Sequence, residues 1–299
     1  MYSSTKIIIF IIVILAIILL FSFTNYINME HYSPYYPYIL PKKIYGYWDN
    51  LEGNSVIISH INTWHRNIAP DWEIIILNQN NVKNYVSKEF MDRYQNLNSV
   101  RFSDFLRLEL LKNNGGVWMD VSTIVTNGRF LDEYYNEMHK NRYDVCVYEY
   151  KEKTVELDRP YLENWFIMAP KNSKYIIDLY KEFDRAFEMG FLKYKKEVLI
   201  PSKTNLKNTI GNEGDRTYLM QHAIVHYLFQ TGKRYNICIK DACESMFKPQ
   251  TICDWDHKKT IDYILNKTDW SDIYAVKLTS ATRSGIQNDK LYVEKLNSL

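Results

Sequence analysis

The stretch Arg101 to Thr126, RFSDFLRLELLKNNGGVWMDVSTIVT, decides the fold. Phe102, Phe105, Leu106, Leu108, Leu110 and Leu111 carry the period of an amphipathic helix, and the Asn113-Asn114-Gly115-Gly116 breaker ends it. Val117-Trp118-Met119 then opens a short strand that is apolar on both faces, as a buried strand is. Asp120 closes that strand. A carboxylate there is costly unless a cation or a hydrogen-bonding ligand satisfies it, and the double glycine lets something approach the backbone closely. Asp104 and Arg107 share one helix face, where a solvated ion pair is the ordinary reading.

Helical and strand signals alternate on both sides of this stretch. Strands are predicted at Lys43 to Trp48, Trp72 to Leu77, Val145 to Tyr148, Asn164 to Ala169 and Ile273 to Leu278. Helices are predicted at Val56 to Arg66, Tyr85 to Tyr94, about Ser173 to Met189, and about Asp215 to Gln230, the last closed by Gly232. The pattern predicts an α/β domain, Rossmann-like, with a mainly parallel sheet and helices on both faces. In such sheets ligands bind beyond the carboxyl ends of the strands. Tyr47-Trp48-Asp49, Asn78 and Asp120-Val121-Ser122 all fall at predicted strand ends. There Trp48 can stack on a base and Asp120 can reach a divalent cation or a phosphate-bound sugar.

With 299 residues, 46% hydrophobic and 24% charged, the composition is that of a globular protein with a substantial core. The net charge of +2 is small and its cations are dispersed, so nothing points to nucleic acid as a partner. The 25 tyrosines accompany abundant Ile, Asn and Lys, which reads as the bias of an AT-rich genome. Ile7 to Phe23 is apolar except for Ser22 and reads as a transmembrane signal anchor. The apolar core of a cleaved signal would be shorter, about 7 to 15 residues, and would precede a small-residue cleavage site. Residues 1–6 form a short cytoplasmic tail, with Lys6 as the early cation, so the expected orientation is single-pass type II. The catalytic domain would then be lumenal, in the Golgi or the ER, or extracytoplasmic. Residues 24–40, with Pro34 and Pro37, read as a stem, and the domain is expected over 41–299. Cys146, Cys238, Cys243 and Cys253 lack the paired C-x-x-C spacing of a structural zinc site. They leave either one disulfide among Cys238, Cys243 and Cys253 or buried free thiols. Asn266-Lys267-Thr268 is a glycosylation acceptor motif that matters in the lumenal orientation.

Three pieces in order, ILPKKIYGYW from Ile39, PDWEIIILN from Pro70 and RFSDFLRLELLKNNGGVWMDVST from Arg101, resemble the capsular-polysaccharide-synthesis family of glycosyltransferases. That family is related to the DXD sugar-binding enzymes of yeast mannosyltransferase and glucosylating-toxin type. Asn164-Trp165-Phe166, Asp215 to His222 and Val276 to Thr279 fit the same resemblance. It implies a GT-A-type fold, a nucleoside-diphosphate-sugar donor, a glycan or glycoconjugate acceptor, a hexosyltransferase activity, and a divalent cation, Mn2+ or Mg2+. By the same resemblance Trp48 stacks on the nucleobase, Asp104 and Arg107 contact the donor sugar, and Asp120, as first Asp of the DXD, meets ribose, sugar and metal. Ser122 stands where the second Asp would be. A Ser or Thr here resembles the capsular-synthesis branch, but one carboxylate and one hydroxyl make a weaker hard-cation site than two carboxylates.

Glycosyl transfer builds negative charge on the departing diphosphate, which a cation or Lys and Arg side chains must neutralise. The loop Gly211-Asn212-Glu213-Gly214-Asp215 places Asp215 either as a general base for the acceptor hydroxyl or as a plain helix N-cap. His222, seven residues on, binds phosphate or metal or is simply packed. Two rival functions remain. Asp120-Val121-Ser122-Thr123 resembles the D-x-D-x-T phosphatase signature, but lacks its second Asp and lies about 80 residues into its domain. A membrane-anchored, catalytically inactive glycan-binding protein of glycosyltransferase shape is the stronger rival.

Overall fold

The computed structural model describes residues 37–286 and 289–299, of which Tyr38–Leu299 form one compact unit. The expected tail at 1–6, the apolar segment 7–23 and residues 24–36 of the expected stem lie outside the described residues. No helix among the described residues is long and apolar enough to cross a membrane. Two residues assigned to the stem belong to the packed body: Leu40 is buried, and Tyr38 Oη donates to the Tyr143 carbonyl at 2.8 Å.

The strands are β1 (Lys43–Tyr47), β2 (Glu73–Leu77), β3 (Gly116–Met119), β4 (Thr123–Val125), β5 (Val145–Glu149), β6 (Leu162–Ala169), β7 (Ile237–Asp241) and β8 (Ala275–Lys277). Six of them form one sheet in the order β2-β1-β3-β6-β5-β7, while β4 and β8 pair as a separate antiparallel ribbon. Only β6 runs against its neighbours in the large sheet; the β1–β2, β1–β3 and β5–β7 pairs are parallel. The expected α/β domain with a mainly parallel sheet is therefore present. Because β6 is reversed, its amino end lies beside the carboxyl ends of β1 and β3, and Asp120 N donates to the Trp165 carbonyl at 2.9 Å.

Nine helices matter for the site: α1 (Ser55–Asn67), α2 (Lys88–Tyr94), α3 (Ser99–Asn114), α4 (Arg129–Asn141), α5 (Lys174–Met189), α6 (Met220–Gln230), α7 (His257–Asn266), α8 (Ser280–Gly285) and α9 (Lys290–Asn297). Period-2 alternation in the strands sends Trp118 to one core, with α2, α3, α5 and α6, and Val117 and Met119 to the other, with α1 and α4. Helices thus cover both faces. A third apolar cluster joins α7, α8 and α9 to the β4–β8 ribbon through Ile264, Val276, Ile286 and Tyr292.

Several sequence expectations change. Helix α3 is not amphipathic: Arg101, Phe102 and every residue from Asp104 to Leu111 are buried, charges included. What approaches the double glycine is protein rather than ligand. A Cβ on Gly116 would meet the Lys43 carbonyl oxygen at 2.8 Å and one on Gly115 the Lys171 nitrogen at 2.5 Å, at φ values of +107° and +71°. Both positions therefore need glycine. Helix α6 starts at Met220 with Leu219 at its N-cap, so Asp215 caps nothing. Strand β7 lies in a stretch, 233–259, that shows no clear pattern in the sequence. All four thiols are free, and Cys238 sits in register beside Cys146 on neighbouring strands.

Buried histidines make stability depend on pH. His60 on α1 is fully enclosed, its Nε2 is 2.9 Å from the Tyr292 hydroxyl of α9, and burial pushes its pKa down to about 3. Between its ordinary value near 6.5 and that depressed value, the unfolded chain takes up a proton that the folded chain refuses. Folding stability therefore falls as pH drops below about 6.5, by up to about 1.4 kcal/mol per pH unit for each such group. Chemical denaturation from pH 7 to 4.5 should show this loss, with a shallower slope in His60→Gln; an unchanged slope would mean that His60 titrates normally.

Candidate active site

The cleft opens where the carboxyl ends of β1 and β3 meet the amino end of β6, with α3, α6 and α8 around it. It has a volume of about 410 Å³. Trp48, Asp104, Arg107, Asp120 and Ser122, five of the six residues given donor-binding or catalytic roles from the sequence, line it together. The sixth, Asp215, lies in an exposed loop and is not among the lining residues. Asn78 does not reach the cleft either; its side chain caps its own turn by accepting from Asn80 N at 2.8 Å.

Asp104 and Arg107 do not form a solvated pair, since each is only 5% exposed. The Arg107 guanidinium is held at several points. Nη1 donates to the Asn164 carbonyl at 2.9 Å, Nη2 to Ser103 Oγ at 3.3 Å, and Nη2 lies 3.4 Å from Asp104 Oδ1 and 3.7 Å from Asp120 Oδ1. The plane also lies over the Trp118 ring, 5.2 Å from its centroid. Arg101 completes the pair from one turn earlier, with Nη1 3.2 Å from Asp104 Oδ2 and Nη2 donating to the Thr217 carbonyl. Burial pushes the Asp104 carboxyl up, against the pulls of Arg107 and Arg101.

Asp120 differs from Asp104 in being partly open, its side chain 29% exposed. Trp118 Nε1 donates to Oδ1 at 3.0 Å, and Lys277 Nζ lies 3.5 Å from Oδ2. Burial would raise its pKa, but Lys277 and Arg107 outweigh that and hold it below the ordinary carboxylate value. Asp120 is thus an anion at neutral pH. Sequence reasoning put Lys277 on a predicted strand and gave it no role, since nothing local to Ile273 to Leu278 shows that its ammonium reaches Ser122 and Asp120. Its ammonium donates to Ser122 Oγ and to the Leu278 carbonyl, both at 2.9 Å. Burial pushes Lys277 down to about 8, with Asp120 pulling the other way.

The far wall comes from β6 and α6. Asn164 Nδ2 donates to Gln221 Oε1 at 2.7 Å, and Gln221 Nε2 donates to the Asp104 carbonyl at 2.7 Å, which ties α3, β6 and α6 together. His222 lines the cleft, stacks on Tyr161 and places Nε2 3.5 Å from Glu163 Oε2. At the mouth the half-buried Trp48 ring lies 5.9 Å from the Arg283 guanidinium.

The donor set at Asp120 does not fit a divalent ion. Ser122 Oγ already accepts from an ammonium, the neighbouring Asp104 carboxylate is tied to Arg101 and Arg107, and an incoming dication would meet Lys277 and Arg107. Among the described residues no group of three or more His, Cys, Asp or Glu side chains gathers as a ligand set.

A family model described as "Capsular polysaccharide synthesis protein" matches residues 14–195, more than half of the chain. The chain belongs to that family. The match includes β1, α3, β3 and β6, hence Trp48, Asp104, Arg107, Asp120 and Ser122, and stops short of His222, Lys277 and Arg283. No curated protein matches the chain. Among solved structures it is similar to the PaToxG glycosyltransferase, at 13% identity and a TM-score of 0.38, over 87% of each chain. It is also similar to the galactosyltransferase LgtC, solved with donor and acceptor sugar analogues, at 10% identity and a TM-score of 0.42, over 86% of this chain and 96% of that one. The glycosyltransferase GlyE of Streptococcus pneumoniae TIGR4 gives 9% identity and a TM-score of 0.44, over 86% of this chain and 60% of its own. Likenesses of that size carry no weight beside the family membership and the residues of the cleft.

Arg107→Gln should destabilise the protein by roughly 3 kcal/mol, because it leaves buried carboxylate charge without its partner. The loss in the Asp104→Asn/Arg107→Gln double variant should be smaller than the sum of the two single losses, read from urea midpoints. Strict additivity would show that the two groups are not coupled.

Proposed function

We propose that this chain is a glycosyltransferase of GT-A type that moves a sugar, a hexose, from a nucleoside-diphosphate-sugar donor to a glycan or glycoconjugate acceptor. One observation carries the reading. A buried Asp104–Arg107 pair and an ionised, half-open Asp120 meet in one cleft at the strand ends, with the Trp48 ring at its mouth. A carboxylate fixed by cations accepts hydrogen bonds from sugar or ribose hydroxyls with strict geometry, while an aromatic ring gives a base a face to stack on. Family membership supports the same reading, since building a capsular polysaccharide requires the joining of sugars.

The cleft chemistry follows from the residues present. Arg107 and Trp118 orient the Asp120 carboxylate before any ligand arrives, which lowers the cost of aligning the donor. The Arg283 guanidinium at the cleft and the Lys277 ammonium behind Asp120 suit a diphosphate. In this reading residues 7–23 anchor the chain, with the domain on the lumenal or extracytoplasmic side, supported by the apolar run and Lys6.

Donor hydrolysis across UDP- and GDP-sugars, measured with and without Mn2+, should find at least one active donor. Asp120→Ala should reduce its turnover by about 100-fold or more, with the circular dichroism spectrum retained. If every donor is inert while sugars still bind, the protein is an inactive glycan-binding relative.

A further inference from the structure

We propose, on the basis of the transferase reading above, that Lys277 and Arg283 take the place of a divalent ion and meet the charge of the departing nucleoside diphosphate. Lys277 Nζ lies between Asp120 and Ser122, the two side chains that would hold such an ion. Two of its three protons are used at 2.9 Å, on Ser122 Oγ and the Leu278 carbonyl. The remaining one has the 3.5 Å contact with Asp120, longer than a charge-assisted hydrogen bond. That leaves an ammonium whose side chain is only 8% exposed, beside a single carboxylate which it shares with Arg107 and Trp118. A buried cation so weakly compensated is costly unless an anion comes to it.

Arg283 supplies the second charge. It stands on α8, six residues beyond Lys277, and lines the cleft beside Trp48. Its Nη1 donates to the Leu278 carbonyl at 3.3 Å, so one carbonyl accepts from both Lys277 and Arg283 and fixes the two cations relative to each other. Among the described residues no carboxylate forms an ion pair with Arg283. The neighbouring ring is the one proposed for the base, so a diphosphate attached to that nucleoside would run from Arg283 inward to Lys277. The segment carrying both cations lies outside the family-matched span, and membership assigns them no role.

In the transfer the bond between the anomeric carbon and the β-phosphate oxygen breaks, and its electron pair leaves with the nucleoside diphosphate. The acceptor hydroxyl oxygen bonds to the anomeric carbon, and its proton goes to water. The negative charge that appears on the β-phosphate is met by fixed cations, which need no reorganisation at the moment of reaction.

The test is calorimetric titration of the full chain, in detergent, with UDP and with GDP, in EDTA and in Mn2+. At least one diphosphate should bind, with dissociation constants in the two conditions within about 3-fold of each other. Lys277→Gln and Arg283→Gln should each weaken binding in EDTA by about 10- to 100-fold. If Lys277→Gln does not fold, the wild-type comparison and Arg283→Gln decide the matter alone. Binding only in Mn2+, or unweakened binding by Arg283→Gln, overturns this proposal and leaves the transferase reading standing. Absence of binding to either diphosphate in both conditions overturns both.

Discussion

The Arg107 guanidinium is the group on which the rest of the site depends. It takes the Asn164 carbonyl of β6, Ser103 and Asp104 of its own helix, and the faces of Asp120 and Trp118 at the end of β3. Three separate elements are thereby held at one point. Such a cation can be buried only if its donors are nearly all used, and Arg107 sits within the part of α3, Asp104 to Leu111, in which every residue is buried. Lysine could not replace it, because an ammonium cannot reach a carbonyl, a hydroxyl and two carboxylates in one plane.

The reversed direction of β6 serves the same end. Strand β6 pairs Phe166 with Met119, so its first four residues, Leu162 to Trp165, run on past the carboxyl end of β3. Reversal brings Asn164, at the start of β6, into hydrogen-bond reach of Arg107 and Gln221. The cleft therefore rests on a regular strand as well as on loops, which fixes its groups more tightly.

Part of this was legible in the sequence for identifiable reasons. The apolar spacing in α3, the breaker at Gly115-Gly116 and the apolar run of β3 are local signals, and they placed Asp104, Arg107 and Asp120 correctly on their elements. The purpose of the double glycine was not legible, since the neighbours that require it, Lys43 and Lys171, come from other elements. Nor was the burial of Asp104, whose carbonyl accepts from Gln221, more than a hundred residues away. Lys277 was given no role although its strand was legible, because the Ser122 it meets is 155 residues away in the chain. Asp215 drew attention through a loop-then-helix pattern, but the helix begins five residues later and leaves it exposed.

Around one cleft Arg101, Arg107, Lys277 and Arg283 are matched in number by the carboxylates of Asp49, Asp104, Asp120 and Glu163, but among the described residues no carboxylate forms an ion pair with Arg283, and Lys277 has only a 3.5 Å contact with Asp120. An anion such as the proposed diphosphate would complete both cations. The measurement that tests this most directly is a crystal structure with UDP or GDP bound. The account predicts the base against Trp48 and the diphosphate between Arg283 and Lys277, with sugar-facing space left beside Asp104 and Asp120. A nucleotide bound elsewhere, or one whose phosphates turn away from Lys277 and Arg283, would contradict it.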